Sequence, residues 1–416
     1  MPLRIPPAFH YPRFRYLWLG LMISIAGSQM QVWAIFWNIR SLTDKPIALG
    51  GIGLARLLPI VLLSLIGGTL ADRVNRRNLL FVTQSTMALV ALTLAALSMA
   101  GRLDLWHIYL LTAIQASALA FDGPARQSLV PNLVPAEALP SAFSLNSIAF
   151  EIGAVVGPAL SGLVIGYWGQ AYTYLLNAIS FLAVIVALLA IGQVPQQIVK
   201  RQGAAINIAD IREGINFIRN SPIILSTMLL DFFATFFSSA NTLMPFIARD
   251  ILHVGPVAYG WLSSAQSIGA VVASVTISQY TRIRRQGPVL LIAVLIFGSA
   301  TIVFGLSRSF LLTMLALIVM GGADAVSTII RNTVRQLQTP DYIRGRMTSI
   351  NQIFFMGGPQ LGEIEAGAVA QLFGTTFAIV SGGIGCLIAV AWTVRRWPIL
   401  RTFNGDEPIQ AGAQAD

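Results

Sequence analysis

The chain has 416 residues, 55% of them hydrophobic and only 11% charged, against about 25% charged in ordinary soluble domains. A mean hydropathy of +0.72 and repeated apolar runs of about twenty residues read as a polytopic membrane protein and exclude an ordinary soluble enzyme. The net charge of +10 falls in short loops between the runs, so it orients the chain in a bilayer and gives no reason to expect nucleic acid as a partner. The single cysteine, Cys386, lies in an apolar run and has no intrachain partner for a disulfide.

In chain order, the first apolar run, residues 16–39, carries no formal charge and is long enough to cross about 30 Å of hydrocarbon. It is too long for the core of a cleavable signal peptide, and no small-residue cleavage site followed by a soluble chain succeeds it. The spacing predicts further spans at 48–70, 79–100, 105–127, 139–167 and 171–192. After a polar interval come 222–248, 256–280, 288–307, 309–332, 347–372 and 375–394. The fold class expected is an all-α membrane protein with twelve transmembrane helices in two pseudo-symmetric six-helix bundles. Residues 1–192 form the first bundle, 193–221 a linker, 222–396 the second bundle and 397–416 a tail.

Lys and Arg concentrate on the side that holds both termini. Arg40, Lys45, Arg102, Arg249 and Arg308 are the residues on the other side, and Arg56 falls inside a span. This bias places both termini in the cytoplasm. Within the linker, Ile208, Ile211, Ile215 and Ile218 recur at helical spacing opposite Asp210, Arg212, Glu213 and Arg219. That pattern predicts an amphipathic helix along the inner membrane surface, or a plain tether between the halves.

The halves echo one another. Arg126-Gln127 before Pro131 corresponds to Arg335-Gln336 before Pro340, Arg76-Arg77 to Arg284-Arg285, and Gly157-Pro158 to Gly358-Pro359. A duplicated six-helix unit with a site near its midplane is an architecture that rocks to give alternating access. Some charges are present in one copy only: Tyr280 stands opposite Asp72, Arg331 opposite Asp122, and Asp324 opposite Gln115.

Between the second and third runs, Gly68, Asp72, Arg73, Arg76 and Arg77 match the loop signature of the major facilitator superfamily, which the chain resembles over nearly its whole length. Asn75 replaces the usual glycine, and a left-handed backbone that Asn tolerates is expected there. Phe14–Gly20, Ala120–Gln127 and Gly345-Arg346-Met347 resemble the branch that includes enterobactin exporters and macrolide-efflux relatives. The resemblance implies a charge relay of Asp72, Arg76 and Asp122 that steadies the outward-facing state; a static salt-bridge clamp is the plainer alternative. Arg126, four residues after Asp122, can pair with it. Gly153, Gly157, Pro158 and Gly162 resemble the antiporter signature, with Ser161 in place of one glycine; ordinary close helix packing explains the same residues.

Ionisable groups inside spans cost a few kcal/mol each and need a partner or a purpose. Asp231 and Asp324 have no basic residue within one helical turn and are the first proton-coupling candidates, an assignment that the resemblance to multidrug exporters also implies. Asp324 and Arg331 share a face two turns apart. Glu363, Glu365 and Glu151 are further proton-coupling candidates; Glu363 and Glu365 project roughly 200° apart, so only one can face a narrow cavity, and Glu151 and Arg56 are possible partners in the first half. Trp33, Phe36, Trp37, Phe232, Phe233, Phe236 and Phe237 line a greasy cavity or pack helices together.

No nucleotide loop of the Walker type occurs, and the three histidines, His10, His107 and His253, form no ligand pair at helical spacing. The expectation is therefore a carrier, not an enzyme, with no cofactor and the proton gradient as its energy source. Its partners are a small-molecule cargo and the lipid bilayer. The leading reading is an exporter of an amphiphilic drug or siderophore in the bacterial inner membrane, monomeric as the resembled family is. An uptake carrier, a flippase for a lipid-like solute and a non-transporting binding protein are the alternatives.

Overall fold

A chain this apolar has to satisfy its backbone N–H and C=O groups internally, and helices do that within one segment. The computed structural model describes residues 6–194, 208–279, 283–340, 343–405 and 407, and among them there is no strand. In the first half lie α1 (Pro12–Leu42), α2 (Ile47–Arg73), α3 (Arg76–Met99), α4 (Leu105–Leu129), α5 (Leu139–Tyr167) and α6 (Gln170–Ile191). Then follow α7 (Ile208–Arg219), α8 (Pro222–Ser238), α9 (Met244–Phe246), α10 (Pro256–Ser278), α11 (Gln286–Leu306), α12 (Phe310–Gln338), α13 (Arg344–Phe373) and α14 (Thr375–Arg396). Helix occupies each of the twelve predicted spans. Among the described residues, nine helical stretches are long and apolar enough to cross a membrane, and α2 adds a shorter one, Ile47–Leu63.

Two boundaries differ from expectation for physical reasons. The seventh span is broken: α8 stops at Ser238, a 3-10 turn covers Ser239–Leu243, and α9 runs into a π-turn at Ile247–Ile251. Within the break, Asn241 donates Nδ2–H to Gln266 Oε1, which ties this segment to α10. The loop after α2 is shorter than the signature suggests, since helix persists to Arg73 and resumes at Arg76. Asn75 is extended (φ −64°), not left-handed; its side chain accepts from Asn78 N and caps α3. Asparagine is here a helix-starting residue.

The chain forms two compact units, one of Met1–Asp44, Leu54–Gln202 and Val254–Ser264, the other of Lys45–Gly53, Gly203–His253 and Ala265–Asp416. In the first, α1 packs on α5 and α6, and α3 on α4 and α6. Glycines make these approaches possible: a Cβ at Gly157 would lie 2.5 Å from the Gln29 Cβ of α1, and one at Gly27 would meet Ser180 of α6. Trp18 buries its ring there and donates Nε1–H to Leu145 O at 2.8 Å. In the second unit, α11 packs on α12 and α14, while α8 packs on α13 and α14.

The duplication is visible in the backbone. Gly169, between α5 and α6, has φ 94° and ψ 168°, and Gly374, between α13 and α14, has φ 91° and ψ 157°. Both halves turn at the same point through a conformation that only glycine adopts without strain. One element of the polar interval and one of the expected tail pack within the second unit. Ile218 of α7 is buried with Ile224, Met228, Met347 and Ile350, while Ile215 stays exposed. Part of the apolar stripe expected to lie on the membrane is thus used on the protein itself; the Ile208 and Ile211 side chains lie outside the described residues. The expected tail begins with a docked turn, Pro398–Arg401, followed by buried Phe403, whose carbonyl accepts from Gly287 N.

Candidate functional site

The strongest constellation lies in the second unit, where α12 faces α8. Asp324, Ser327, Thr328 and Arg331 fall at helical spacing along one face of α12. Arg331 donates Nη1–H to Ser327 Oγ at 2.7 Å and Nη2–H to Thr328 Oγ1 at 2.8 Å. Its Nη2 also lies 2.8 Å from Asp231 Oδ1 and 3.9 Å from Asp324 Oδ1. The Arg331 and Asp231 side chains are 5% and 8% exposed, whereas that of Asp324 is 43% exposed. Asp231, expected to stand without a basic partner, therefore has one. The helix-turn criterion failed because the cation arrives from another helix. Two acids share one guanidinium: a dry, close contact with Asp231 and a longer one with an acid that solvent-sized groups can reach.

In the first unit, Asp122 of α4 is completely buried. It pairs with Arg126 Nη2 at 2.5 Å, as the spacing predicted. It also accepts from Thr83 Oγ1 at 3.0 Å and Gln84 Nε2 at 2.8 Å, both from α3. Asp122 thus pins α4 to α3 through two donors, while Arg126 of its own helix supplies a third. Arg76 Nη1 donates to Asn132 Oδ1 at 3.0 Å in the turn after α4, and Arg77 Nε to Leu188 O at 2.7 Å in the last turn of α6. The arginines of the signature thereby tie the start of α3 to two neighbouring helix ends. Gly68, Asp72 and Arg73 sit on the last turns of α2, and their side chains lie outside the described residues.

The antiporter-like stretch of α5 keeps its helix through Pro158. Gly153 and Gly157 face α1, and Gly162 meets the Gly260 backbone, where a Cβ would fall 2.5 Å from Pro256 O. Glu151 on the same helix is exposed, and Arg56 sits over the Phe36 ring at 5.3 Å. Glu363 and Glu365 of α13 are both half-buried. Glu363 lies against Gly53, whose added Cβ would come within 2.9 Å of the Glu363 Cβ. The aromatic residues divide between the units: Trp33 and Trp37 stack edgewise or tilted on Tyr259, while Phe232 and Phe236 stack beside Phe354.

Reading charges alone missed a neutral network. Gln31 Nε2 donates to Gln115 Oε1 at 2.7 Å, Asn177 Nδ2 to Gln31 Oε1 at 2.7 Å, and Ser180 Oγ to Asn177 Oδ1 at 3.0 Å. Gln31 and Asn177 are buried, so α1, α4 and α6 are joined by amides within the apolar bundle. The signal was available, since Gln115 stands opposite Asp324 in the repeat: one half places an amide where the other places an acid.

The family model described as transmembrane secretion effector matches residues 6–406. The enterobactin exporter EntS of Citrobacter koseri is 25% identical over 404 residues, 97% of this chain and 96% of that protein. EntS of Escherichia coli O81 is 25% identical over 399 residues, covering 96% and 95%. Among solved structures, a bacterial homolog of the human lysosomal transporter Spinster, inward-facing and unoccupied, aligns with TM-score 0.75 at 13% identity, covering 96% of this chain and 99% of that one. The nucleoside transporter NupG aligns with TM-score 0.67 at 14% identity, covering 92% and 98%. Helical bundles with ionisable groups held in their interior, and matches of this length, lead to one assignment: the chain belongs to the transmembrane secretion effector family and is a multi-pass membrane transporter of the major facilitator fold.

Proposed function

We propose that this transporter is a secondary-active exporter, exchanging a small amphiphilic molecule for protons through the Asp231–Arg331–Asp324 cluster. The observation that carries this reading is the unequal sharing of Arg331. Asp231 is the fixed counter-ion that keeps the guanidinium in the bundle. Asp324, longer in contact and more exposed, is the acid that can take a proton without undoing the shorter pair. A proton from outside adds to the Asp324 carboxylate; the neutral acid releases its hold on Arg331, and the proton leaves on the cytoplasmic side. Cargo release and proton binding alternate at this cluster, so neither leaks alone. Orientation with both termini in the cytoplasm follows from the positive-inside bias.

The Asp122–Arg126 pair, with Asp72 and Arg76, is the conformational latch of this reading. Its acid is anchored to α3, so any rearrangement of the latch has to come from the α2 side. Export, and a siderophore or a similarly amphiphilic drug as cargo, are supported by relatives named as enterobactin exporters. Inside-out vesicles acidified within should accumulate enterobactin, and a proton ionophore should collapse that accumulation. Asp324→Asn should retain cargo exchange while losing proton movement. Accumulation indifferent to the ionophore, or full proton movement in both Asp324→Asn and Asp231→Asn, would refute the coupling.

A further inference from the structure

Along the outer face of the second unit, α8 and α14 leave an apolar groove of about 480 Å³, walled by Phe233, Phe237, Phe377, Ile384, Ile388 and Trp392. Its floor is set where Gly385 lets α14 approach the Phe237 ring, against which an added Cβ would fall at 2.8 Å. From Phe377 to Trp392 the groove follows about 22 Å of helix, within the roughly 30 Å of a bilayer's hydrocarbon. Phe377, Ile384, Ile388 and Trp392 are exposed, so in a membrane this surface is met by acyl chains.

The groove does not end in apolar surface. Phe237 stacks with Phe233 (6.3 Å), Phe233 meets Trp392 edgewise (5.8 Å), and Trp392 meets Trp397 edgewise (5.3 Å). The Arg396 guanidinium then sits over the Trp397 ring at 5.5 Å. Arg395 and Arg396 are both exposed at the end of α14, and neither makes an ion pair with a carboxylate among the described residues. The docked turn after α14, with buried Leu400 and Phe403, keeps this end of the strip in place. An aromatic line thus leads from the groove to Arg396 over Trp397, with Arg395 beside it at the end of the spanning helix, the position where positive-inside arginines meet lipid headgroups. Tryptophan at that level is the usual interfacial anchor, and arginine attracts anionic headgroups.

We infer that this groove is a binding site for one anionic phospholipid, its acyl chain along Phe377–Trp392 and its phosphate at Arg395 and Arg396. The inference stands on the membrane location of the chain and is independent of cargo and coupling. Native mass spectrometry of the full-length transporter, released from detergent with phosphatidylglycerol or phosphatidylcholine of identical chains, tests it. Phosphatidylglycerol should be retained about thirtyfold more strongly, the effect of two arginines at about 1 kcal/mol each near a membrane surface. Arg395→Gln with Arg396→Gln should reduce it to the phosphatidylcholine level, while Arg284→Gln with Arg285→Gln should leave the preference intact. Filling the groove with Ile384→Trp and Ser381→Phe should lower retention of both lipids. Equal retention of the two lipids by the unaltered protein, or equal loss in both arginine pairs, would overturn the site. Displacement of the lipid by enterobactin would overturn it too, in favour of a cargo vestibule.

Discussion

Replacing Arg331 by glutamine is the sharpest test of the cluster. The substitution leaves Asp231, 8% exposed and formerly 2.8 Å from the guanidinium, as a buried carboxylate without its contacting counter-ion, Arg335 being the cation that remains nearby. Breaking a buried pair from one side costs about 3–5 kcal/mol. Asp231→Asn leaves the cation with Asp324 still 3.9 Å away, so its cost should fall at the low end, about 3 kcal/mol. Asp324→Asn removes a longer contact to a 43% exposed side chain, and solvent screening limits that to about 0–1 kcal/mol. The double variant Arg331→Gln with Asp231→Asn removes both charges and should cost less than either single change, because no ion is stranded. Unfolding of purified protein by sodium dodecyl sulfate, followed by circular dichroism, ranks the four. If Asp324→Asn is as costly as Arg331→Gln, or the double variant costs the sum of the singles, the unequal sharing of Arg331 is wrong.

Asp122→Ala should destabilise the first unit by about 3–5 kcal/mol by stranding Arg126 and the α3 donors, seen as loss of monodisperse protein in size-exclusion chromatography. Asn75→Gly should cost only a few tenths of a kcal/mol and Asn75→Ala about 1 kcal/mol, since the side chain serves as a helix cap; apparent melting temperatures separate them. Gly162→Val should abolish folding or transport, because Pro256 O and the Gly260 backbone leave no room for a side chain, while the neighbouring exposed Leu160→Val should be silent in the same vesicle assay.

Much of the architecture was legible because one physical rule dominates: hydrocarbon forces backbone groups into helices of a fixed minimum length. Run length alone therefore indicated where helix would lie, and helix is found within each predicted span among the described residues. Run length could not locate the break after Ser238, because the apolar run continues through it and the polar residue there, Asn241, is neutral and meets Gln266 of another helix. The same limit governed the site. Asp122 with Arg126 was readable since both lie on one helix at a spacing that makes them neighbours. Asp231 with Arg331 was not, since the contact depends on the rotations of α8 and α12, which apolar periodicity in an almost wholly apolar chain leaves undetermined. Asn75 was misread for a further reason: the signature suggested a turn glycine, whereas the local pattern Asn-x-x-Asn preceding an apolar run is equally that of a capped helix.

The turn that follows α14 bears on how the protein is completed during synthesis. Phe403 accepts from the backbone of Gly287, more than a hundred residues upstream, so the start of α11 waits for the segment beyond α14 to leave the ribosome. Among the described residues, no backbone hydrogen bond links α3 to that turn. A chain stopped at Arg396 would hold every span yet lack the piece that covers the start of α11. Nascent chains of the two lengths should therefore differ in protease resistance at α11 and not at α3.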